Sequence, residues 1–385
     1  MEVALYHPEG GYYTTTSPFG DSGDYFTSPA AHPAFGALIA VQLNRMWQTL
    51  GRPPRFYAVE MGAGNGLLAR DIIDYVNRMP GGFAESLRYI ALERYAIYDA
   101  AAYGRIQHIN TIGIPLKGIV GCFISNELVD AFPVHRFQIS EGEVKEIFVT
   151  LDERGAFAET LGEPSTPLLA ERVADLSLPE GYRSEVNLNI RPWMQEVSQA
   201  LERGFVITID YGYLSDELYS PQRANGTFQT YYRHTDGSSP YQRIGKQDMT
   251  AHVDFSSVGS EGMSLRLHSL GLRTQSRFLR ALGFDEMLDS LRAKRLGQRE
   301  HSGNMMAMQE LVKPEGLGGF KVLIQERGTG VKSVDELTAD EGPLPEPPLL
   351  RQDHVPLMEG RYPDMALDMD ALWPFGESEP PDSQD

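Results

Sequence analysis

The sequence has almost no cysteine, since Cys122 is the single one among 385 residues. One thiol cannot close a disulfide within the chain and cannot supply a multi-cysteine zinc or iron–sulfur site. Long apolar runs are also missing, because the longest are strand-sized and too short to cross a bilayer. The first sixteen residues have neither the basic start nor the apolar core of a secretory signal peptide. We therefore expect a cytoplasmic protein that has no membrane span and no metal site.

Basic residues are scarce as well, with 34 lysines and arginines against 53 aspartates and glutamates, for a net charge of −19. Such a surface repels phosphates, so nucleic acids and anionic membranes are not expected partners. Residues 331–385 hold 14 acidic and 3 basic residues together with nine of the 25 prolines. This tail carries a net charge of −11, and the first 330 residues carry only −8. Its composition predicts disorder.

What the sequence does have is a regular alternation of strand-like and helix-like segments. Apolar stretches of strand length lie at 55–60, 87–93, 119–125, 204–210 and 320–325. Helical apolar spacing occurs at 34–50 and 67–77, and again around Ala100. This alternation predicts the α/β class, with a mostly parallel sheet that is covered by helices on both faces.

Two stretches break the alternation. Residues 137–151 alternate around Gly142 like an antiparallel hairpin, and residues 213–255 are polar and aromatic with few apolar runs. Both are typical of insertions over the strand ends, where α/β proteins place substrate contacts. The predicted layout is therefore an arm at 1–36, a core at 37–135 and 200–330, an insertion with a hairpin and a helix at 136–199, a substrate-side insertion at 213–265, and the tail at 331–385.

A glycine-rich turn follows the first predicted strand, with the sequence EMGAGNG at 60–66 and a helix after it. Glycines let a ligand approach the backbone closely, and the helix N-terminus attracts negative charge. A dinucleotide fingerprint would need a further glycine where Leu67 stands, which disfavours a dehydrogenase. The spacing fits S-adenosylmethionine, with Glu60 suited to its ammonium group and Glu93 to its ribose hydroxyls. The alternative is an ordinary turn beside a solvated acid.

Polar side chains also follow the third and fourth predicted strands. Asn126 has a donor and an acceptor, which could hold a nitrogen nucleophile beside the cofactor. Glu127 and Asp130 could pair with a cationic guanidinium or amine in bidentate geometry. Asp210, with Tyr211 beside it, would supply a second carboxylate on the same rim. The alternative for these acids is a structural one, as caps of helices and turns.

A histidine and an aspartate in the second insertion are further candidates for the substrate site. Their spacing puts His252 and Asp254 on one face of a strand, where they could act as a proton acceptor and its orienting partner. A hydrogen-bonded pair that only fixes the insertion is equally compatible with the pattern.

Eight segments of the first 330 residues carry a family resemblance, in the order 5–13 (LYHPEGGYY), 23–29 (GDYFTSP) with 35–36, 60–71 (EMGAGNGLLARD), 125–137 (SNELVDAFPVHRF), 209–212 (IDYG), 226–228 with 231–234 (GTF, YYRH), 248–255 (DMTAHVDF) and 319–322 (GFKV). Together these segments resemble the MidA-type class I methyltransferases, a family that includes the mitochondrial complex I assembly factor that methylates an arginine. The resemblance implies a Rossmann-like sheet of seven strands with an antiparallel last strand, and S-adenosylmethionine as the cofactor. It also implies that an N-terminal arm with Asp24, Thr27 and Ser28 closes over that cofactor.

The expected activity follows from this resemblance. It implies symmetric dimethylation of a protein arginine, with a target similar to a respiratory complex I subunit, by in-line SN2 transfer. Glu127 and Asp210 would localise the positive charge of the guanidinium on one nitrogen and leave another more nucleophilic. Two alternatives stay open: a small-molecule N- or O-methyltransferase of secondary metabolism, and a non-catalytic assembly factor that binds the cofactor and a partner protein. Self-association as a homodimer stays open too.

Overall fold

The computed structural model describes residues 1–15, 27–95, 105–232, 235–236, 239–337 and 343–354. Asp24 and the helix that the sequence predicts around Ala100 lie outside these residues. The described strands β1 to β16 are, in chain order, Phe56–Met61, Leu87–Glu93, Ile106–Asn110, Ile119–Asn126, His135–Ser140, Glu143–Leu151, Phe157–Gly162, Arg183–Val186, Leu201–Asp210, Gly212–Tyr213, Gln229–Tyr232, Thr235–Asp236, Asp248–Thr250, Val253–Asp254, His268–Thr274 and Lys321–Arg327.

The described helices α1 to α13 are, in chain order, Glu2–Tyr6, Tyr12–Thr15, Ser28–Ala31, Ala34–Thr49, Leu67–Val76, Phe83–Ser86, Pro167–Ala174, Ile190–Ala200, Ser215–Leu218, Phe255–Ser264, Gln275–Ala281, Phe284–Ala293 and Gln298–Glu310. Short 3₁₀ turns lie at Pro221–Arg223, Leu317–Gly319 and Val334–Glu336.

Seven strands form the central sheet, in the order β3-β2-β1-β4-β9-β16-β15. Neighbouring strands from β3 to β9 are parallel, whereas β16 runs antiparallel to both β9 and β15. This is the Rossmann-like sheet with an antiparallel last strand that the sequence predicts, and the prediction is confirmed. The five strands identified from apolar runs are β1, β2, β4, β9 and β16. The pattern missed β3 and β15 because these edge strands are partly exposed and lack a continuous apolar run.

Both faces of the sheet are buried, which explains why its central strands are apolar at successive positions. Ala58 and Ile124 face α4, α5, α11, α12 and α13. Val59 and Phe123 face the opposite layer, which α8 and α10 supply. The sheet is therefore held between two helical layers, and the carboxyl ends of β1, β2, β4 and β9 meet at one edge.

Strands β4 and β9 approach each other closely at two glycines. Gly204 has a φ of +144°, and a Cβ atom built there would overlap the carbonyl oxygen of Gly121. The absence of a side chain on Gly204 therefore lets β9 pair in register with β4, and the absence of one on Gly121 lets β4 pair with β1, since a Cβ there would overlap the Tyr57 carbonyl oxygen.

The insertions build smaller sheets beside the main one. Strands β5 to β8 form an antiparallel sheet in the order β7-β6-β5-β8, and the hairpin predicted around Gly142 is its β5–β6 pair. Glu141 and Gly142 turn that hairpin with φ values of +57° and +76°. In the second insertion β11 pairs with β12 and β13, and β10 pairs with β14. The predicted domain boundaries stay predictions.

Part of the acidic tail is packed, which corrects the prediction that residues 331–385 are disordered. Leu337, after the last 3₁₀ turn, is 2% exposed. Residues 343–354, here called the C-terminal strap, run across α12, α13 and α5 without regular secondary structure, and His354 is fully buried. Composition alone could not show this, because a few apolar and charged anchors are enough to hold an otherwise polar segment. Residues 338–342 and 355–385 lie outside the described residues.

The close approach of β4 and β9 leads to a stability prediction. Gly204→Ala should lower the free energy of unfolding by roughly 3 kcal/mol, because the added methyl group must push the two strands apart. Urea unfolding followed by circular dichroism measures this. Gly10→Ala is the matched control, since no atom lies within 4 Å of its added Cβ. Equal midpoints for the two variants would contradict the close-packing argument.

Candidate functional site

A cavity opens at the carboxyl edge of the sheet, where the strand ends and the N-terminal arm meet. The residues that line it come from the arm, the glycine-rich turn, the ends of β2 and β4, and the C-terminal strap: Tyr6, Tyr13, Thr27, Pro29, Ala30, Glu60, Gly62, Ala63, Gly64, Asn65, Leu67, Leu68, Glu93, Arg94, Tyr95, Asn126, Glu127, Leu128, Ala131 and Asp353. We call this the first cavity. It brings together most of the residues that the sequence predicts for the cofactor.

The glycine-rich turn joins β1 to α5 in a conformation that requires glycine. Gly62, Gly64 and Gly66 have φ values of +69°, +53° and +73°. A Cβ on Gly62 would also lie 2.8 Å from Cδ1 of Leu128, so the turn packs closely against the segment after β4. Gly66 is the N-cap of the ten-residue α5, so the turn leads directly into a helix N-terminus beside the cavity.

Glu60 lies on the floor of the first cavity and is 4% exposed. Its Oε2 accepts a hydrogen bond of 2.9 Å from the Tyr89 hydroxyl. Burial raises the pKa of Glu60 to about 8, and the Tyr89 hydrogen bond opposes that shift only in part. A buried carboxyl of this kind favours a cationic ligand, because a nearby positive charge stabilises its ionised form.

Glu93 ends β2 and ties it to the glycine-rich turn. Its Oε2 accepts from the Gly64 backbone N–H at 2.9 Å, and its Oε1 accepts from the Arg94 N–H at 2.7 Å. Burial raises the pKa of Glu93, while these backbone N–H groups oppose the shift. The Tyr95 N–H also hydrogen-bonds to this carboxylate, and the lone pair that these three donors leave can still accept from a hydroxyl of a ligand in the cavity.

Thr27 and Ser28, the two predicted arm residues that the structure describes, have different roles. Thr27 lines the cavity, and its hydroxyl caps α3 by accepting from the Ala30 N–H. Ser28 is fully buried, and its hydroxyl donates to Oε1 of Gln275 at 3.0 Å. Its backbone N–H donates to Oε1 of Glu127 at 3.3 Å. Ser28 therefore fastens the arm to the core, and its contact with the cofactor stays a prediction.

Asn126 and Glu127 reach the same cavity from the end of β4. Glu127 has a φ of +51°, a strained conformation for a residue with a side chain, and such strain is typical of functional sites. Its Oε1 also accepts from Nδ2 of Asn126 at 3.0 Å. Burial and the neighbouring Asp130 raise the pKa of Glu127 to about 8. The Oδ1 atom of Asn126 is buried and has no hydrogen-bond donor among the described residues.

Asp130 and Tyr211 lie behind this pair. The Tyr211 hydroxyl donates to Oδ2 of Asp130, and Oδ1 of Asp130 is buried without a donor among the described residues. Burial raises the pKa of Asp130 to about 6, against the effect of the Tyr211 hydrogen bond.

A further carboxylate beside this pair, Asp248, was not identified from the sequence. Its Oδ1 accepts from the Tyr13 hydroxyl at 2.9 Å. Asp248 begins the segment 248–255, which carries the family resemblance, and that resemblance is the sequence signal that could have identified this residue.

Asp210 has a structural role, and its catalytic and substrate-binding roles stay predictions. It is fully buried and accepts backbone N–H groups from Val129 at 3.0 Å, Asp130 at 3.3 Å and Tyr211 at 2.9 Å. Burial and the nearby carboxylates raise its pKa well above the usual range. Asp210 therefore fixes the turns after β4 and β9, and so positions the Asp130 and Tyr211 side chains.

His252 and Asp254 do not form the predicted pair. Asp254 is the N-cap of α10, where its Oδ1 accepts from the backbone N–H groups of Ser256 and Ser257. The His252 ring packs against Tyr211, with the ring centroids 5.2 Å apart. Burial lowers the pKa of His252 to about 4, so this imidazole is neutral near pH 7. His252 lies between β13 and β14 rather than in a strand, so the alternation that predicted the pair does not apply to it.

A second cavity adjoins the first, because both are lined by Tyr6, Gly62, Glu93, Arg94 and Leu128. Its other walls come from the loop after β3 and from α8, including Thr111, Ile112, Gly113, Ile114, Trp193 and Glu196.

Within the described ranges, no group of three or more His, Cys, Asp and Glu side chains is arranged to hold a metal ion. In the same ranges, no helix has the length and apolar content that a bilayer span needs.

Comparison with known proteins identifies what this site is similar to. Residues 38–272 match the family model described as S-adenosyl-L-methionine-dependent methyltransferase. The chain is 25% identical to the human mitochondrial protein arginine methyltransferase NDUFAF7, over 86% of this chain and 80% of that protein. It is 25% identical to the Drosophila melanogaster homologue, over 78% of this chain and 74% of that protein.

A solved structure is also similar along most of the chain. It is a COG1565 superfamily protein from Burkholderia thailandensis, bound to S-adenosyl-homocysteine, with a TM-score of 0.74 and 27% identity. The alignment covers 85% of this chain and 86% of that one. In the present structure the glycine-rich turn, the acceptor capacity left on Glu93 and the unpartnered Asn126 oxygen all fit the cofactor that the sequence predicts.

The Glu93 contacts lead to a binding prediction. Glu93→Gln should raise the Kd for S-adenosylmethionine about 10-fold or more, because the variant loses the charge that strengthens hydrogen bonds to the turn and to the ligand. Isothermal titration calorimetry measures this. Glu85→Gln is the matched control, since Glu85 is exposed just before the same strand. A Glu93→Gln variant that binds as tightly as the control would remove Glu93 from the cofactor site.

Proposed function

We propose that this chain, which belongs to the S-adenosyl-L-methionine-dependent methyltransferases of the MidA type, methylates protein arginine side chains. Its cofactor is S-adenosylmethionine. The observation that carries the proposal is a set of buried carboxylates beside the cofactor cavity. Glu127 lines the cavity, and Asp130 and Asp248 lie close enough to act on its pKa. The partners described for Glu127 and Asp130 are amide, hydroxyl and backbone N–H groups rather than basic side chains.

A guanidinium suits this arrangement better than a neutral acceptor does. Carboxylates that raise one another's pKa lose that repulsion when a cation lies between them. The guanidinium is planar, stays charged at neutral pH and presents N–H groups in a fork that matches a carboxylate. Ser28 and Asn126 both donate to Oε1 of Glu127, so its Oε2 can accept one such N–H. The relatives whose printed name is protein arginine methyltransferase support the same substrate class.

The chain's own residues then have distinct parts in the reaction. When bound, the cofactor supplies an electrophilic methyl group, so the protein has mainly to position the acceptor nitrogen in line with it. Glu127 holds the positive charge on the far side of the guanidinium. Asn126 uses its unpartnered Oδ1 to accept an N–H from the reacting nitrogen and to orient its lone pair. Asp130, held by Tyr211, adds negative charge behind Glu127.

The finer features of this proposal come from the family resemblance. They are a symmetric dimethyl product, a target similar to a respiratory complex I subunit, and an acceptor that is a protein rather than a metabolite. The test is incubation of the protein with labelled S-adenosylmethionine and host lysate, followed by mass spectrometry for methylated arginine. Label that appears only on a metabolite would support a small-molecule methyltransferase instead. Cofactor binding without any labelled product would support a non-catalytic assembly factor.

The Glu127 charge leads to a prediction on turnover. Glu127→Gln should lower kcat at least 100-fold, because it keeps an acceptor for Ser28 and Asn126 but removes the charge that faces the guanidinium. The Kd for S-adenosylmethionine should change less than threefold. Glu217→Gln, on the exposed side of α9, is the matched control and should keep normal turnover. Full activity of Glu127→Gln with cofactor bound would exclude this role.

The raised pKa of Glu127 leads to a prediction on pH. Because burial holds the free enzyme's Glu127 pKa at about 8, most of the enzyme has a neutral Glu127 at pH 7. The fraction with an ionised Glu127 grows as the pH rises, so kcat/KM should rise and level off above about pH 8. This rise should be absent in Glu127→Gln. A wild-type profile that is flat from pH 6 to 9 would show that ionisation of Glu127 does not limit the reaction.

A further inference from the structure

The C-terminal strap, residues 343–354, is joined to the main fold by a series of specific contacts. The Tyr75 hydroxyl on α5 donates to the carbonyl of Pro345 at 3.2 Å, and Lys294 pairs with Glu346 at 2.6 Å. Leu350 is 4% exposed. The strap lies outside the segment 38–272 that the family model matches.

The end of the strap is fixed to α5 by buried charge. Nε2 of His354 contacts Oδ2 of Asp71 at 2.9 Å, and both side chains are almost completely buried. Arg351 forms ion pairs with Asp71 and Asp74 on the same helix. These contacts determine where Asp353, between Arg351 and His354, can lie. A residue flanked by two such anchors is held in position even though its own side chain is exposed.

The same strap is linked to the N-terminal arm. Oδ1 of Asn304 accepts from the Leu350 N–H at 2.8 Å and contacts Nε2 of His32 at 3.2 Å. Nδ1 of His32 accepts from the Ala34 N–H, so the proton of this neutral ring is on Nε2. Burial and the nearby His354 lower the pKa of His32 to about 3, in agreement with a neutral ring. The network connects the arm, the strap and α5, the elements that form one flank of the first cavity.

Asp353 reaches the first cavity from this flank. Its carboxylate pairs with Nη1 of Arg70 at 2.5 Å, and 57% of its side chain is exposed. The Arg70 side chain is only 12% exposed, so it holds the exposed Asp353 carboxylate from the protein side. Glu93 enters the same cavity from the β2 end and suits ribose hydroxyls. With the ribose at Glu93, the ammonium group of the cofactor's amino-acid end would have Glu60 and Asp353 as further carboxyls that line the same cavity.

We propose that Asp353 is a cofactor-binding residue whose carboxylate, held at the cavity mouth by Arg70 and the strap, binds the ammonium group of the cofactor's amino-acid end. Arg70 is a positioning residue in this arrangement, since it contacts Asp353. Glu60 supplies a carboxyl on the floor of the cavity, and Asp353 supplies a second one at its mouth. The inference depends on the cofactor and is independent of the methyl acceptor.

Two ligands test this proposal on the full chain by calorimetry. S-adenosylhomocysteine has the amino-acid end, whereas 5′-methylthioadenosine keeps the nucleoside and the thioether but lacks that end. Asp353→Asn should raise the Kd for S-adenosylhomocysteine about 10-fold, the loss expected for a charge-assisted hydrogen bond. The Kd for 5′-methylthioadenosine should change less than twofold. Asp335→Asn is the matched control, because Asp335 forms a similarly exposed ion pair with Arg273 elsewhere on the surface.

The remaining outcomes overturn the proposal. An unchanged Kd for S-adenosylhomocysteine would show that Asp353 does not contact the cofactor. An equal loss for both ligands would show that the substitution only distorts the cavity. Arg70→Gln is the second variant, in case Asp353→Asn does not fold: it should weaken S-adenosylhomocysteine binding and spare 5′-methylthioadenosine. If Arg70→Gln weakens both ligands or neither, the assignment of this pair to the amino-acid end is excluded.

Discussion

The site depends on the burial of carboxylates at one edge of a parallel sheet. Removing an acid from water is costly unless hydrogen bonds or a cation compensate for the loss. In this structure the compensation differs from one acid to the next. Asp210 accepts three backbone N–H groups, and Glu93 accepts backbone N–H groups from the glycine-rich turn and from Arg94. Glu60 and Asp130 accept from tyrosine hydroxyls, and Glu127 accepts from the Asn126 amide and the Ser28 N–H. Burial raises the pKa of all five acids, so they differ in their hydrogen-bond partners and not in the direction of the shift.

Much of the fold could be predicted from the sequence, because apolar runs and glycine spacing report local structure directly. The turn at 60–66 and the acid at Glu93 were recognisable since each immediately follows a buried strand. The edge strands β3 and β15 were not, because half-exposed strands lack an apolar run. Within the site, the partners of each acid come from distant parts of the chain. No local pattern shows that Asp210 is surrounded by N–H groups from residues 129 and 130, or that Asp254 caps α10.

The segment that the family model matches supplies only part of the cavity. The matched segment, 38–272, contains the glycine-rich turn, Glu93 and the segment after β4. The arm before it and the strap after it supply other walls of the same cavity, through Thr27 and Asp353. A resemblance in the core therefore explains the chemistry of methyl transfer. The enclosure of the cofactor is completed by parts of the chain that the family model does not cover.

The strap has a consequence for how the protein is made. Residues near position 350 complete a cavity whose floor is formed by residues near position 60. A chain emerging from the ribosome can assemble the central sheet only after β16 has appeared, and it still lacks one wall until the strap follows. The lining of the cavity is thus complete only after position 353 has been synthesised. A prematurely terminated chain that ended before the strap would have the sheet and the glycine-rich turn but an open cavity.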